Sequence, residues 1–244
     1  HLHKVNLAVG LKSCDYFAHL FQKKDASNNG NNISKHTIEI PLSCLPAIPA
    51  MLDYLYIPST TTTTTKPLDV HATTSTAVPL RYLSTLLGNQ SLFDSATRFL
   101  HADLCPQTAV EYLQHAELYE QRKLKGVCVR IIADSFDTLK ITWFAKLPPH
   151  LMVKILHSSY FTREMDSLAV CSKVASYCRC QSHKIDGEML LSLTSVKVMP
   201  IVCPEEALFL LQMMIRLGYM DTEDPNNRYV SSKERSLYER CIDA

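Results

Sequence analysis

Glycine is scarce in this chain: six in 244 residues. That scarcity leaves no G-x-G-x-x-G or P-loop run to cradle a phosphate, and it argues against an all-β fold, whose turns and bulges lean on glycine. No G-x-S-x-G or H-E-x-x-H occurs either, so the usual serine-hydrolase and zinc-protease signatures are missing. An excess of charge is absent too. Twenty-five basic residues meet 24 acidic ones, which is no electrostatic footprint for nucleic acid or an anionic membrane. No apolar run approaches the ~20 residues that span a bilayer. The opening HLHKVNLAVG lacks the pattern of a secretory leader.

Cysteine, by contrast, is plentiful. The nine (Cys14, Cys44, Cys105, Cys128, Cys171, Cys178, Cys180, Cys203 and Cys241) are odd in number and scattered, several inside apolar helical stripes. That favours reduced thiols in the cytoplasm or nucleus over a disulfide framework. A chain of this size buries roughly 70–75% of its unfolded surface and needs no metal or disulfide staple. Two matches to glycosylation acceptors, Asn32-Ile33-Ser34 and Asn89-Gln90-Ser91, are read as chance, with no sign of secretion.

The stretch from Ala77 to Leu139 predicts four consecutive helices with short joints. Ala109, Tyr112, Leu113, Ala116 and Tyr119 form one stripe, and Leu124, Val127, Cys128, Ile131, Ile132 and Phe136 form the next. Both follow the i, i+3, i+4, i+7 spacing of one helix face. Helices so closely joined stack antiparallel to bury those faces.

Within this stretch, A-V-x-L-R-Y-L-S, then R-F-L-x-x-D-L, then A-x-E-Y-L-x-x-A-x-x-Y resembles the end of a BTB (POZ) domain leading into a BACK domain. Upstream, His3, Lys4, Leu7, Ser13, Tyr16, Phe17 and Phe21 stand at or near the places of the first BTB helix, with one extra residue before Ser13. The chain begins where the family has already completed its first hairpin. Thr37 to Leu42 alternates polar and apolar and predicts a short edge strand, bounded by Pro41 and Pro46. Cys44 to Tyr56 resembles the BTB segment ending in L-x-Y-x-Y, with Ile48, Met51, Leu52, Leu55 and Tyr56 as its buried stripe. Residues 58–69, with six threonines in a row at 60–65, read as a mobile insertion where the family has a tight turn.

Downstream, Phe144-Ala145-Lys146-Leu147-Pro148 resembles the BACK pattern F-x-x-L-P, and Tyr177 stands near the place of its usual tryptophan. The helix after Pro148 carries Leu151, Met152, Ile155 and Leu156, and that over 165–177 carries Leu168, Cys171, Val174, Ala175 and Cys178. Ser192 to Val198 matches L-L-x-x-[IV]-R-[FL] only in part, departing at Ser192, Lys197 and Val198. Pro204 opens a last family helix with Ala207, Leu208, Leu211, Met214 and Ile215 inward. After residue 218 the composition turns charged, a tail with one short helix from Ser232.

The resemblance implies a mainly α (α+β) chain. A truncated BTB/POZ fold with a small residual sheet would occupy residues 1–104, a BACK-like helical array 105–218, and the tail 219–244. It also implies an interaction module, a substrate adaptor of a cullin-RING ubiquitin ligase with protein partners, no cofactor and no membrane. In the family the first helix lies at the dimer interface, here Leu7, Leu11, Tyr16 and Leu20. The cullin face would use Leu52, Tyr54 and Tyr56, with Ser75 where an acidic residue is usual. The alternatives are a self-associating scaffold that recruits no cullin and, more remotely, a zinc- or thiol-dependent enzyme.

The enzyme readings rest on fragments. His115-Ala116-Glu117 matches the H-x-E half of a zinc-deaminase signature, without P-C-x-x-C elsewhere. On a helix, i and i+2 point about 200° apart. Cys171, Cys178, Cys180 and His183 are a cysteine–histidine cluster, but a seven-residue recurrence is a packing stripe rather than a zinc turn. Of these, Cys180 near the helix end is the thiol expected to react. No catalytic or metal residue is assigned.

Overall fold

Proline and short polar caps decide where the helices begin. In the computed structural model, which describes residues 39–56, 72–161, 166–219 and 232–244, three helices open on proline at their first position, where its missing N–H costs nothing: α4 (Pro106–Leu118), α7 (Pro149–Leu156) and α10 (Pro204–Arg216). Asn89 caps α3 (Gln90–Asp103), its side chain accepting from Leu92 N–H at 2.9 Å. Asp166 and Asp186 cap α8 (Ser167–Cys180) and α9 (Gly187–Leu193) in the same way. Gly88 ends α2 (Thr74–Leu87) in the left-handed conformation, φ 63°, with its N–H and that of Asn89 returning to the last turn. The remaining helices are α1 (Ile48–Tyr56), α5 (Arg122–Asp134), α6 (Ile141–Phe144) and α11 (Ser232–Ile242), with a 3₁₀ helix at Leu42–Ala47.

The chain is mainly helical, and among the described residues there is no sheet. Of the strand expected over 37–42, Thr37 and Ile38 lie outside the described residues, and Leu42 instead opens the 3₁₀ helix. Pro41 supplies the reason. It offers no ladder N–H, and its carbonyl accepts from Cys44 N–H at 2.9 Å, which turns the chain into the helix.

Two compact units divide between Arg122 and Lys123. In the first, α2 and α3 form an antiparallel pair flanked by α4, α1 and the 3₁₀ helix. Its core holds Ala77, Leu80, Leu83, Leu92, Leu100, Ala109, Tyr112 and Leu113. Every residue of the expected α4 stripe is buried.

In the second unit α8 packs on α6 and α10, α7 on α9, and α11 on α9 and α10. Phe136, Phe144 and Phe161 meet at centroid distances of 4.9 and 5.2 Å. Tyr177 Oη donates to Leu147 O at 2.7 Å. Three expected stripes are corrected. Val127 and Leu168 face solvent, and so do Leu208 (66% exposed) and Ile215. Helix α10 is apolar almost all round, so spacing cannot choose its inner face. Packing against α8 and α11 selects Ala207, Leu210, Met213 and Met214. The charged tail likewise ends in a docked helix. Leu237 is fully buried, and Arg240 donates to Thr194 O at 2.7 Å and to Met199 O.

Candidate interaction surface

An apolar edge of the first unit is held outward from a fixed base. In the 3₁₀ helix Cys44 and Ala47 are wholly buried, while Leu42 is 81% and Leu45 52% exposed. The base is polar as well as packed. Cys44 Sγ donates to Tyr119 Oη at 3.4 Å, and the Tyr119 ring lies 5.0 Å from that of Tyr82 on α2. Burial pushes the Tyr119 phenol up to about 12 and raises the Cys44 thiol, so both stay protonated hydrogen-bond donors at neutral pH. Sequence reasoning missed Leu42 and Leu45. The signal lay in L-S-C-L-P-A, where 3₁₀ spacing puts Leu42 and Leu45 on one face, three residues apart.

Along α1, Leu52 and Tyr54 are half-buried, Met51 and Leu55 are buried, and the side chain of Tyr56 falls outside the described part of the chain. Tyr54 Oη bonds Ser91 Oγ in the first turn of α3. Ser75 is exposed at the other end of the α2–α3 pair, its hydroxyl 3.0 Å from Thr73 Oγ1. The two helices are antiparallel, with Thr74 bonded to Asp103 at one end and Gly88 turning at the other. At 1.5 Å per residue, the Tyr54 hydroxyl and Ser75 stand roughly 18 Å apart along the pair. They stand toward opposite ends of the pair. Leu7, Leu11, Tyr16 and Leu20, together with the threonine run, fall outside the described residues.

The Asp103 carboxylate locks three helices of this unit. Its Oδ2 accepts from Thr74 Oγ1 at 2.8 Å and from Tyr112 Oη at 2.6 Å. An acid at a helix C-terminus opposes the dipole, and hydrogen bonds from the start of α2 and the buried Tyr112 compensate it. Burial is the main force raising the Tyr112 phenol far above its usual value, with the Asp103 bond adding to it. On α2, the Arg81 guanidinium lies 4.8 Å over the Phe93 ring, its pKa lowered by burial.

One thiol stands apart. Cys105 caps α4 with its N–H on Thr108 Oγ1 at 3.0 Å and its sulfur 3.4 Å from the same oxygen. The Thr108 hydroxyl, with the N–H groups of Thr108 and Gln107, lowers the Cys105 thiol against the opposing effects of burial and Asp103. Sequence reasoning passed over it. The signal was C-P-Q-T, a cap residue, a proline at the first helical position and a threonine at the third.

The other chemical candidates separate. His115 and Glu117 are half-buried on α4. His115 Nδ1 is buried without a hydrogen-bond partner, and burial lowers its pKa. Cys171 and Cys178 are wholly buried, with burial pushing each thiol up to about 12. Cys180 and His183 are exposed. Among the described residues, no group of three His, Cys, Asp or Glu side chains is placed to hold a metal ion, and no helix is long and apolar enough to cross a membrane.

No family model, curated protein or solved structure matches the chain.

Proposed function

We propose that this chain is a protein–protein interaction module of BTB–BACK type, serving as a substrate adaptor of a cullin-RING ubiquitin ligase. The observation that carries this reading is the outward Leu42–Leu45 edge, held by a buried Cys44–Tyr119 base beside Leu52 and Tyr54. Exposed apolar groups on a rigid support are what a protein interface uses for its central contacts. On this reading the chain catalyses nothing itself, and ubiquitin transfer belongs to its partners. The eight described cysteines are all free thiols, in keeping with a cytoplasmic or nuclear place of action.

Calorimetric titration with a cullin N-terminal domain tests the reading. The parent chain binds more weakly than nanomolar, because a neutral Ser75 stands where the family has a carboxylate. Restoring a charged hydrogen-bonding partner by Ser75→Glu gains about 1.5–3 kcal/mol, roughly one to two decades in Kd. Leu45→Asp removes binding. Absence of binding by both the parent and Ser75→Glu would reject the cullin assignment, as would nanomolar binding indifferent to both changes.

A second reading, a self-associating scaffold without a cullin, is favoured by the outward stripe of Leu208 and Ile215 on α10. Sedimentation separates it. Concentration-dependent dimers lost in Leu208→Glu, without cullin binding, support the scaffold.

A further inference from the structure

Helix α10 starts against a second thiol. Cys203 immediately precedes Pro204, and its N–H donates to Cys171 Sγ at 3.1 Å. Its own thiol donates at 3.3 Å to Leu168 O, three residues before Cys171 on α8, and contributes to raising the Cys171 thiol. Cys171 therefore takes, from α8, the part that a third-position Glu or Gln plays in a capping box, accepting the N–H of the cap residue at the start of α10. The sequence separates these cysteines by 32 positions, and only packing of α8 on α10 brings them together.

We propose that Cys171 and Cys203 are a latent oxidation site, closing to an intrachain disulfide under hydrogen peroxide and tying α8 to the first turn of α10. Cys203 reacts first, because it keeps 6% exposure whereas Cys171 has none. Its thiolate attacks one peroxide oxygen, the O–O bond breaks, and hydroxide leaves with the electron pair, giving the sulfenic acid. Cys171 sulfur then attacks the Cys203 sulfur. The S–O bond breaks, and the departing hydroxide takes the Cys171 proton. The sum is two thiols and one peroxide giving one disulfide and two waters, with two electrons passing to the peroxide.

The surroundings set the order and the pace. Burial holds the Cys171 thiol protonated at neutral pH, so it does not start the reaction. Once Cys203 is a sulfenic acid, the thiolate forming at Cys171 is stabilised by the N–H it already accepts and by the start of a 13-residue helix. Closure is slow, and the pair stays reduced until peroxide is sustained.

The test treats the folded full chain with hydrogen peroxide, alkylates remaining thiols before denaturation, and maps peptides without reductant. The expected result is a peptide pair joined through Cys171 and Cys203, lighter by two hydrogens than its parts and released by dithiothreitol. Buried Cys178 stays free to alkylate after unfolding, and exposed Cys180 is modified by peroxide in the folded chain. Cys171→Ser and Cys203→Ser each abolish the joined pair, and Cys171→Ser leaves Cys203 as a sulfenic acid trapped by dimedone. Three results overturn the proposal: both thiols alkylatable after peroxide has modified Cys180, Cys203 carried to the sulfinic acid with Cys171 free, or linkage of either cysteine to Cys241 instead. All three are read on the unsubstituted chain, so they remain decisive even where a serine variant fails to fold.

Discussion

Cys105 and His115 sit on the same helix and are moved in ways that the sequence by itself does not show. The Cys105 thiol is lowered by Thr108 and the helix start, so more of it is thiolate at neutral pH than of an ordinary cysteine. It is expected to be alkylated by iodoacetamide faster than exposed Cys180 at about pH 7, read by mass spectrometry over time. Thr108→Val slows that reaction. An unchanged rate would mean that the Thr108 proton stays on Asp103 O, 2.7 Å away, and that the backbone alone does the lowering. The His115 pKa is lowered too, but by burial rather than by hydrogen bonds, and toward the uncharged form. Burial favours its neutral form, so the unfolded chain takes up the proton first. Stability is therefore full above the unfolded value near 6.5 and declines as pH falls below it, until the folded imidazole titrates as well. Urea midpoints measured downward from about pH 8 are expected to fall less steeply in His115→Gln than in the parent.

At the scale of the element, the C-terminal helix is the part whose composition misleads most. Its residues are charged and poor in apolar groups, yet Leu237 is fully buried and Cys241 nearly so. Arg240 completes the docking. Its guanidinium reaches the Thr194 carbonyl at the end of α9 and the Met199 carbonyl beyond it, where positive charge is favoured by the helix dipole. Burial lowers the Arg240 pKa, though a guanidinium remains charged. Leu237→Ala is expected to cost about 2–5 kcal/mol, the range for emptying a buried leucine site. Equilibrium denaturation of the full chain checks it, and a change under about 0.5 kcal/mol, the ordinary surface range, would mean that α11 is not docked in solution. Other positions named in the sequence behave differently. Asp103, Tyr112, Phe144 and Leu147 each make a structural contact: a carboxylate–phenol bond in one unit, buried side chains and a Tyr177-bonded carbonyl in the other.

For the whole molecule, the separation of Tyr54 from Ser75 has a measurable consequence. Sites more than about 7–10 Å apart with no shared partner add within about 0.3–0.5 kcal/mol. In cullin titrations, a mild change at the far end, Tyr54→Phe, and Ser75→Glu are therefore expected to combine additively in the double variant. Coupling above about 1 kcal/mol, beyond that additive margin, would mean that both ends meet one partner group, contrary to their placement at opposite ends of α2 and α3.

Helix existence was determined locally. The α4 and α7 stripes were read from spacing and the Pro204 start from composition, and the Asx caps and the Gly88 stop that the structure adds also act within a few residues. The number of sides a helix buries is not local. Helix α10 carries apolar residues around its circumference, and Leu208 faces out because α8 and α11 occupy the other side. The expected residual sheet failed over its described part for a related reason. Alternation at 37–42 permits a strand, but Pro41 denies a ladder donor and turns the chain into a 3₁₀ helix. The pairing of Cys171 with Cys203 and the docking of Arg240 on Thr194 span 32 and 46 positions. Contacts at such separations leave no periodic trace in the sequence, and only the packing of helices from distant parts of the chain decides them.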